Sequence, residues 1–311
     1  MYKEKRVTVV VPAYNVAPHI QQVLKTIPEF VDQVIVVDDC GSDQTGQLLA
    51  QISDSRVVVL KHERNQGVGG AMVTGFKRAL KDKSDLIVKM DGDGQMDPQY
   101  IQDLLGPLIE EGYAYAKGNR FLNNAQLKTM PFLRLIGNYG LTFMTKLASG
   151  YWHIFDPQNG FFAVQSESLK MIDLDHLAKR FFFENDMLVH MNIFGFRVKD
   201  VSIPARYGQE VSSMSILEVF VTFPVYLFKR FWYRIYQKDI LRDFSPIALF
   251  WVTGLALFSW GFLFGAYTWA KSSFLQHLAS TGTVMLSVLP LVMGFELILQ
   301  AIILEIKESP K

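Results

Sequence analysis

Apolar residues fall in short runs through the first two thirds of this chain and in long runs through the last third. Val7-Thr8-Val9-Val10-Val11, Val34-Ile35-Val36-Val37, the stretch from Arg56 to Leu60, and Leu86-Ile87-Val88 after Ser84-Asp85 have the length of buried strands. Pro12-Ala13-Tyr14-Asn15 ends the first of them in a loop, and Asp38-Asp39-Cys40-Gly41-Ser42 ends the second. Helical stretches from Pro18 to Thr26, Thr45 to Ile52 and Gly69 to Leu80 separate the runs. Strands alternating with helices predict right-handed crossovers and a parallel sheet covered on both faces. The loops after strands one, two and four would then share one rim, at the carboxyl edge where open α/β sheets bind ligands.

Past Ser215 the pattern changes. From there to Asp239, apolar and aromatic residues alternate with Lys229, Arg230, Arg234 and Lys238, as in a helix lying in a membrane interface. Residues 244–270 carry no charge and residues 278–304 only Glu296. Each run is about 27 residues, against roughly 20 needed to cross a bilayer core, so two spans are expected. Lys229, Arg230, Arg234, Lys238 and Arg242 precede the first span, Lys307 and Lys311 follow the second, and the connecting loop has only Lys271. The excess of cations on one side predicts both termini and the first domain in the cytoplasm. Glu296, costly in lipid, is expected to face a helix partner or an oligomer contact. The resulting plan is a domain over 1–213, amphipathic juxtamembrane helices over 214–243, the two spans within 244–304, and a tail over 305–311.

Composition narrows the function. A formal net charge of +1 argues against a nucleic-acid binder, and the single cysteine, Cys40, excludes an internal disulfide or a thiolate zinc site. After Lys3, Lys5 and Arg6 the apolar run is cut by Pro12, too soon for a signal-peptide core. The histidines form no metal-ligand pair and read as structural.

Candidate chemistry gathers at strand ends. Lys89-Met90-Asp91-Gly92-Asp93-Gly94-Gln95 places two carboxylates one residue apart, between glycines that let the backbone bend toward one hard cation. Magnesium or manganese held by one or two carboxylates leaves room for substrate phosphate oxygens. A solvated turn explains the same residues equally well. Asp38 and Asp39 would accept hydrogen bonds from a ribose or base, or act as turn formers. Asn65-Gln66-Gly67-Val68-Gly69-Gly70-Ala71 would bring backbone N–H groups to a phosphate, although Met72 replaces the third glycine of a dinucleotide fingerprint.

Taken in order, Val10 to Asn15, Val37 to Thr45, Asn65 to Gly69 and Asp91 to Gln95 resemble glycosyltransferase family 2, and within it the polyprenyl-phosphate glycosyltransferases, over roughly residues 5–215. The resemblance implies an α/β fold of the GT-A type with a mostly parallel sheet, a nucleotide-diphosphate sugar donor, and Mg2+ or Mn2+. Pro12, Tyr14 and Asp39 would surround base and ribose with Asp38 close by, and Asn15, Asn65, Gly67 and Gly92 would belong to the same donor site. Asp91, Asp93 and Gln95 would face metal and diphosphate. Arg120, Arg134 and Asn138 match positions that receive the acceptor's phosphate, where an arginine fork suits an anion. Asp156 would shape the loop beside them.

Glu184 and Asp186 stand at the start of a helix where the family often places an acidic catalytic residue. Two apart, they cannot share a helix face, so one is expected to act and the other to cap. Arg206 would close over the diphosphate, although Gly208 follows two residues later instead of three and Ser213 replaces a lysine. The implied activity is inverting transfer of a hexose, from a UDP-sugar in preference to GDP-mannose, to undecaprenyl or dolichyl phosphate for cell-envelope glycans, by a homo-oligomeric membrane enzyme. Two alternatives remain. A processive polysaccharide synthase would carry a Gln-x-x-Arg-Trp segment and usually more spans. A non-catalytic sugar-nucleotide-binding membrane protein would have no need of both Asp91 and Asp93.

Overall fold

The structure is a computed structural model that describes residues 1–120, 132–204, 216–276 and 278–311, with the side chains of 132–138 and 216–221 excepted. It divides into two units, Met1–Phe231 with Pro310–Lys311, and Trp232–Ser309.

The first unit opens with β1 (Val7–Ala13), α1 (Ile20–Thr26), β2 (Gln33–Asp38), α2 (Thr45–Leu49), β3 (Val57–Lys61), α3 (Gly67–Lys81) and β4 (Leu86–Lys89). It continues through α4 (Ile101–Glu110), β5 (Tyr115–Asn119), α5 (Phe132–Ser149), β6 (Phe162–Gln165), α6 (Ser166–Met171), α7 (Phe183–Ile193) and β7 (Val198–Ser202). The strands form a seven-stranded sheet in the order β3-β2-β1-β4-β6-β5-β7. All neighbours are parallel except β6, which runs antiparallel to β4 and β5. The alternation of strands with helices thus yields the expected mostly parallel sheet. The reversed strand was not legible, because Phe161-Phe162-Ala163 reads from sequence as part of a loop. The chain enters β6 at the rim where β4 and β5 end, so it can only return antiparallel.

Period-two alternation in the strands sorts two cores. Val7, Val9, Val11 and Val88 pack with Ile20 and Leu104 on one face. On the other, Val10, Ile35 and Ile87 pack with Phe76, Phe162 and Phe183. Pairing of Ala13 with Asp38 and of Val10 with Lys89 brings the carboxyl ends of β1, β2 and β4 to one rim.

The helix α8 (Ile216–Arg234) leads into a π-helical turn, Ile235–Ile240. The second unit contains α9 (Pro246–Leu275) and α10 (Thr281–Glu308), both long and apolar enough to cross a membrane. Ser245 and Ser280 cap their amino ends, accepting from the N–H groups of Ile247 and Thr283. Both helices run beyond the carboxyl ends expected from the charge-free runs, because Lys271 and Glu305 fit helical geometry as well as apolar residues do. Glycines set their crossing: a Cβ at Gly261 would lie 2.6 Å from the Ser287 carbonyl oxygen, and one at Gly294 would collide with Phe258 N. Buried in the same unit, Arg234 donates to Glu305 (2.8 Å), which also accepts from the Trp251 indole (3.1 Å).

Candidate active site

The site is built where β4 ends. Lys89, its last residue, is 1% exposed and points its ammonium at Asp91 Oδ1 (2.8 Å) and Glu184 Oε1 (3.1 Å). Burial opposes the charge on Lys89, but the two carboxylates outweigh it and raise its pKa above the ordinary lysine range. Burial raises Glu184 above the usual carboxylate range, against the pull of Lys89. Gly160 makes the cluster possible, since a Cβ there would collide with Lys89 Nζ and lie 3.2 Å from Asp91 Oδ2. Three segments distant in sequence thus meet around one cation: the end of β4, the loop before β6 and the first turn of α7.

Beyond Asp91 the backbone turns tightly. Gly92 sits close under Pro12 O, 3.4 Å from where its Cβ would be, and Gly94 takes a left-handed φ of 80°. Asp93 Oδ1 accepts the Gln95 N–H at 2.9 Å, and the Gln95 side chain is exposed. Asp91 and Asp93, both partly exposed, present hard oxygen donors at the open end of the sheet. Among the described residues no three or more His, Cys, Asp or Glu side chains converge into a closed metal cage. Two carboxylates with an open side nonetheless fit a magnesium- or manganese-type ion that completes its shell with phosphate oxygens and water.

At the neighbouring strand ends, Tyr14 is 51% exposed and free to meet a planar ring, while Asn15 accepts the Ser42 N–H (2.8 Å) and ties the two loops together. Asp39 is turned into the fold. Only 2% exposed, its carboxylate accepts the N–H groups of Gln66 and Gly67 (2.8 Å each) and bonds His62 Nδ1 (2.6 Å). The amides expected to cradle a phosphate are therefore occupied by Asp39, and Asn65 before them is exposed. His62 passes the contact on to Thr74 through Nε2 (2.8 Å). Asp38 is also buried, with Gly41 N at 3.5 Å.

On the far side, Arg120 follows β5 onto the same rim and grips Asp156 through Nε and Nη2 (2.7 Å each). Burial works against the Asp156 charge, but Arg120 prevails and holds its pKa below the usual carboxylate range. Glu184 and Asp186 diverge, as their spacing requires. Asp186 does not cap α7: its Oδ2 accepts the Ala178 N–H (2.8 Å) and Arg230 Nη2 (2.7 Å). Position 182, which precedes the helix, makes no side-chain cap bond. The side chains of Arg134 and Asn138, and Arg206 altogether, lie outside the described residues. Sequence reasoning passed over Lys89, His62, Gly160 and Arg230. Of these only Lys89 had a local signal, a lysine closing a run of buried strand residues.

Residues 8–172, more than half the chain, match the Glycosyl transferase family 2 domain. The chain belongs to glycosyltransferase family 2. Among the relatives of this glycosyltransferase is UDP-N-acetylglucosamine–dolichyl-phosphate N-acetylglucosaminyltransferase of Methanococcus voltae, 30% identical over 66% of this chain and 88% of the relative. Another is a dolichol-phosphate mannosyltransferase of Pyrococcus furiosus, 26% identical over 83% of this chain and 71% of its own. Glucosyl-3-phosphoglycerate synthase from Mycobacterium tuberculosis, solved with Mn2+, UDP and phosphoglyceric acid, shares the fold with a TM-score of 0.55 at 20% identity, covering 74% of this chain and 78% of that one. The family 2 domain covers β1 through β6 and so contains Asp91, Asp93, Gly160 and the donor-side loops.

Proposed function

We propose that this glycosyltransferase moves a hexose from a nucleotide-diphosphate sugar, UDP-linked in preference to GDP-linked, to the phosphate of a membrane-borne polyprenol. The observation that carries the reading is a single chain holding both the Asp91–Lys89–Glu184 cluster at an open sheet rim and two helices of bilayer-crossing length. The relatives named for transfer to dolichyl phosphate supply the acceptor class.

Tyr14 covers the base, and Asp39 holds the amino end of α3, which walls the donor. Asp91 and Asp93, with Gln95, would hold Mg2+ or Mn2+, which when bound offsets negative charge on the departing diphosphate. Lys89 pairs with both Asp91 and Glu184 and fixes their directions. A phosphate monoester is already anionic near neutral pH, so Glu184 has to orient the acceptor oxygen more than deprotonate it. Arg120 would receive the acceptor's head group, the role that the resemblance implies for Arg134 as well, and Arg206 would serve the diphosphate. Attack opposite the leaving group inverts the anomeric centre. α9 and α10 cross the membrane with the catalytic unit on the cytoplasmic side, and the lipid anion enters from that surface.

The test offers the purified protein a panel of UDP- and GDP-sugars, Mn2+ and a short polyprenyl phosphate, with products read by mass. A lipid carrying one hexose is expected, and a polymer would favour a processive synthase instead. Asp93→Asn should keep the fold by circular dichroism and lose turnover. Activity within about tenfold of wild type, a barrier change below about 1.4 kcal/mol, would overturn the role given to Asp93.

A further inference from the structure

The inner face of α8 buries Phe223, Leu227 and Phe231, at a spacing of four, while Val225, Tyr226, Phe228 and Lys229 are exposed. Phe223 and Tyr226 both pack on Phe182, with ring centroids 5.5 and 5.3 Å away. One turn further, Arg230 Nη2 donates to Asp186 Oδ2 (2.7 Å) and to the His176 carbonyl oxygen (3.1 Å). Asp186 is fully buried, and its other oxygen lies 3.5 Å from His190 Nδ1. The oxygen that takes Arg230 also takes the Ala178 N–H. Residues 176–179 are thus pinned from behind by α8 and α7.

Their front bears on the amino end of α3. The Lys179 carbonyl accepts the Gly70 N–H at 3.0 Å. The approach is so close that a Cβ at Gly67 would lie 2.5 Å from Lys179 O, and one at Gly69 would collide with Ala178 O. Gln66 and Gly67 in turn donate to Asp39 at the end of β2. A cavity of about 140 Å3, lined in part by Gln66, Gly70, Thr74, Leu174 and Lys179, lies between the two segments beside these contacts, and the Lys77–Asp175 ion pair (2.5 Å) also ties α3 to this region. Direct contacts therefore run unbroken from Arg230 through Asp186, residues 176–179 and residues 66–70 to Asp39.

We infer that Arg230 is a positioning residue for the nucleotide site, holding the first turn of α3, residues 66–70, in place from the helix whose outer face meets the membrane surface. The inference rests on the donor site proposed above. Removing Arg230 leaves a buried carboxylate without its cation, and the 176–179 segment must rearrange to rehydrate it. The first turn of α3, which leans on that segment, then loses its wall. Both contacts leave Arg230 through Nη2, so a lysine at 230 keeps the charge but, with its shorter reach, holds Asp186 and the His176 carbonyl less closely.

Hydrogen exchange of the full-length protein in detergent, without substrate, reads the effect directly. Arg230→Met should speed exchange of the Gln66, Gly67 and Gly70 amides by about tenfold or more while the β1 and β2 amides stay protected. In calorimetry with Mn2+, the Kd for UDP or GDP, whichever the wild type binds, should rise by about tenfold, with Arg230→Lys in between. In the lipid assay the donor KM should rise more than the polyprenyl-phosphate KM. Unchanged exchange at 66–70, or a uniform loss of protection throughout the sheet, would overturn the inference. If Arg230→Met does not fold, Arg230→Lys carries the same test. Exchange needs no sugar transfer, so a wild type that makes no glycosylated lipid refutes the proposed acceptor without touching this result.

Discussion

A lysine buried between two carboxylates at the end of a strand has one strong consequence. Lys89→Met leaves Asp91 and Glu184 facing each other without a cation, which should destabilise the fold by about 3–5 kcal/mol, read by denaturant unfolding. Gly160→Ala is the gentler probe, because it displaces the ammonium without removing it. It should lower turnover by about a hundredfold at nearly unchanged donor affinity, a split that steady-state kinetics and calorimetry separate. Asp156 gives a pH-dependent case. Its native pKa lies below the ordinary carboxylate value, since Arg120 outweighs the burial that works the other way. Its contribution to stability is therefore full above the unfolded value near 3.9 and fades as pH falls through the lower native value. Asp156→Asn should lower the denaturant midpoint at pH 7, an effect that should shrink as pH falls below the unfolded value, and asparagine tolerates the left-handed φ of 48° at this position. The sequence exposed Asp91 and Asp93 because their partners in the turn are local. Lys89 stayed unread because its meaning depends on Glu184 and Gly160, which only the tertiary fold brings to it.

Elements were legible where one periodicity ran uninterrupted. The runs of β1, β2 and β4 are buried on both faces and alternate between two cores, so they were legible as strands, while their register is set by tertiary packing. The start of α3 shows the opposite. Its glycines resemble a phosphate cradle in sequence, yet two of the amides nearby serve Asp39, and the glycines admit the Ala178 and Lys179 carbonyls. A glycine records that something approaches closely without recording what. The divergence of Glu184 from Asp186 was readable from their spacing, whereas the partner of Asp186 lies 44 residues away on a different helix. In the apolar hairpin, glycine again marks backbone contact. Gly294→Leu would force α10 off α9 at Phe258 and should lower the thermal midpoint in detergent, while Gly282→Leu, near the helix start with only Ser280 Oγ close by among the described residues, should not.

For the whole molecule, the proposed function requires the sugar nucleotide and the catalytic unit to share one side of the bilayer. Charge asymmetry around the apolar helices is the basis for that orientation, and the sole cysteine makes it measurable. Cys40 is exposed on the catalytic unit, two residues past β2, and in intact cells it should resist a membrane-impermeant maleimide but react once the membrane is opened. On a Cys40→Ser background, Ala279→Cys in the exposed turn between α9 and α10 should label in intact cells, and Lys311→Cys should behave like Cys40. The five cations from Lys229 to Arg242 make this orientation the favoured one, because each resists translocation and only Lys271 stands against them. Labelling of Cys40 from outside would place the donor site where cytosolic sugar nucleotides do not reach it, and the proposed reaction could not run. Labelling of Ala279→Cys only after permeabilisation would mean that the hairpin does not cross at all. The exposed apolar faces of α9 and α10 would then need a protein partner instead of lipid.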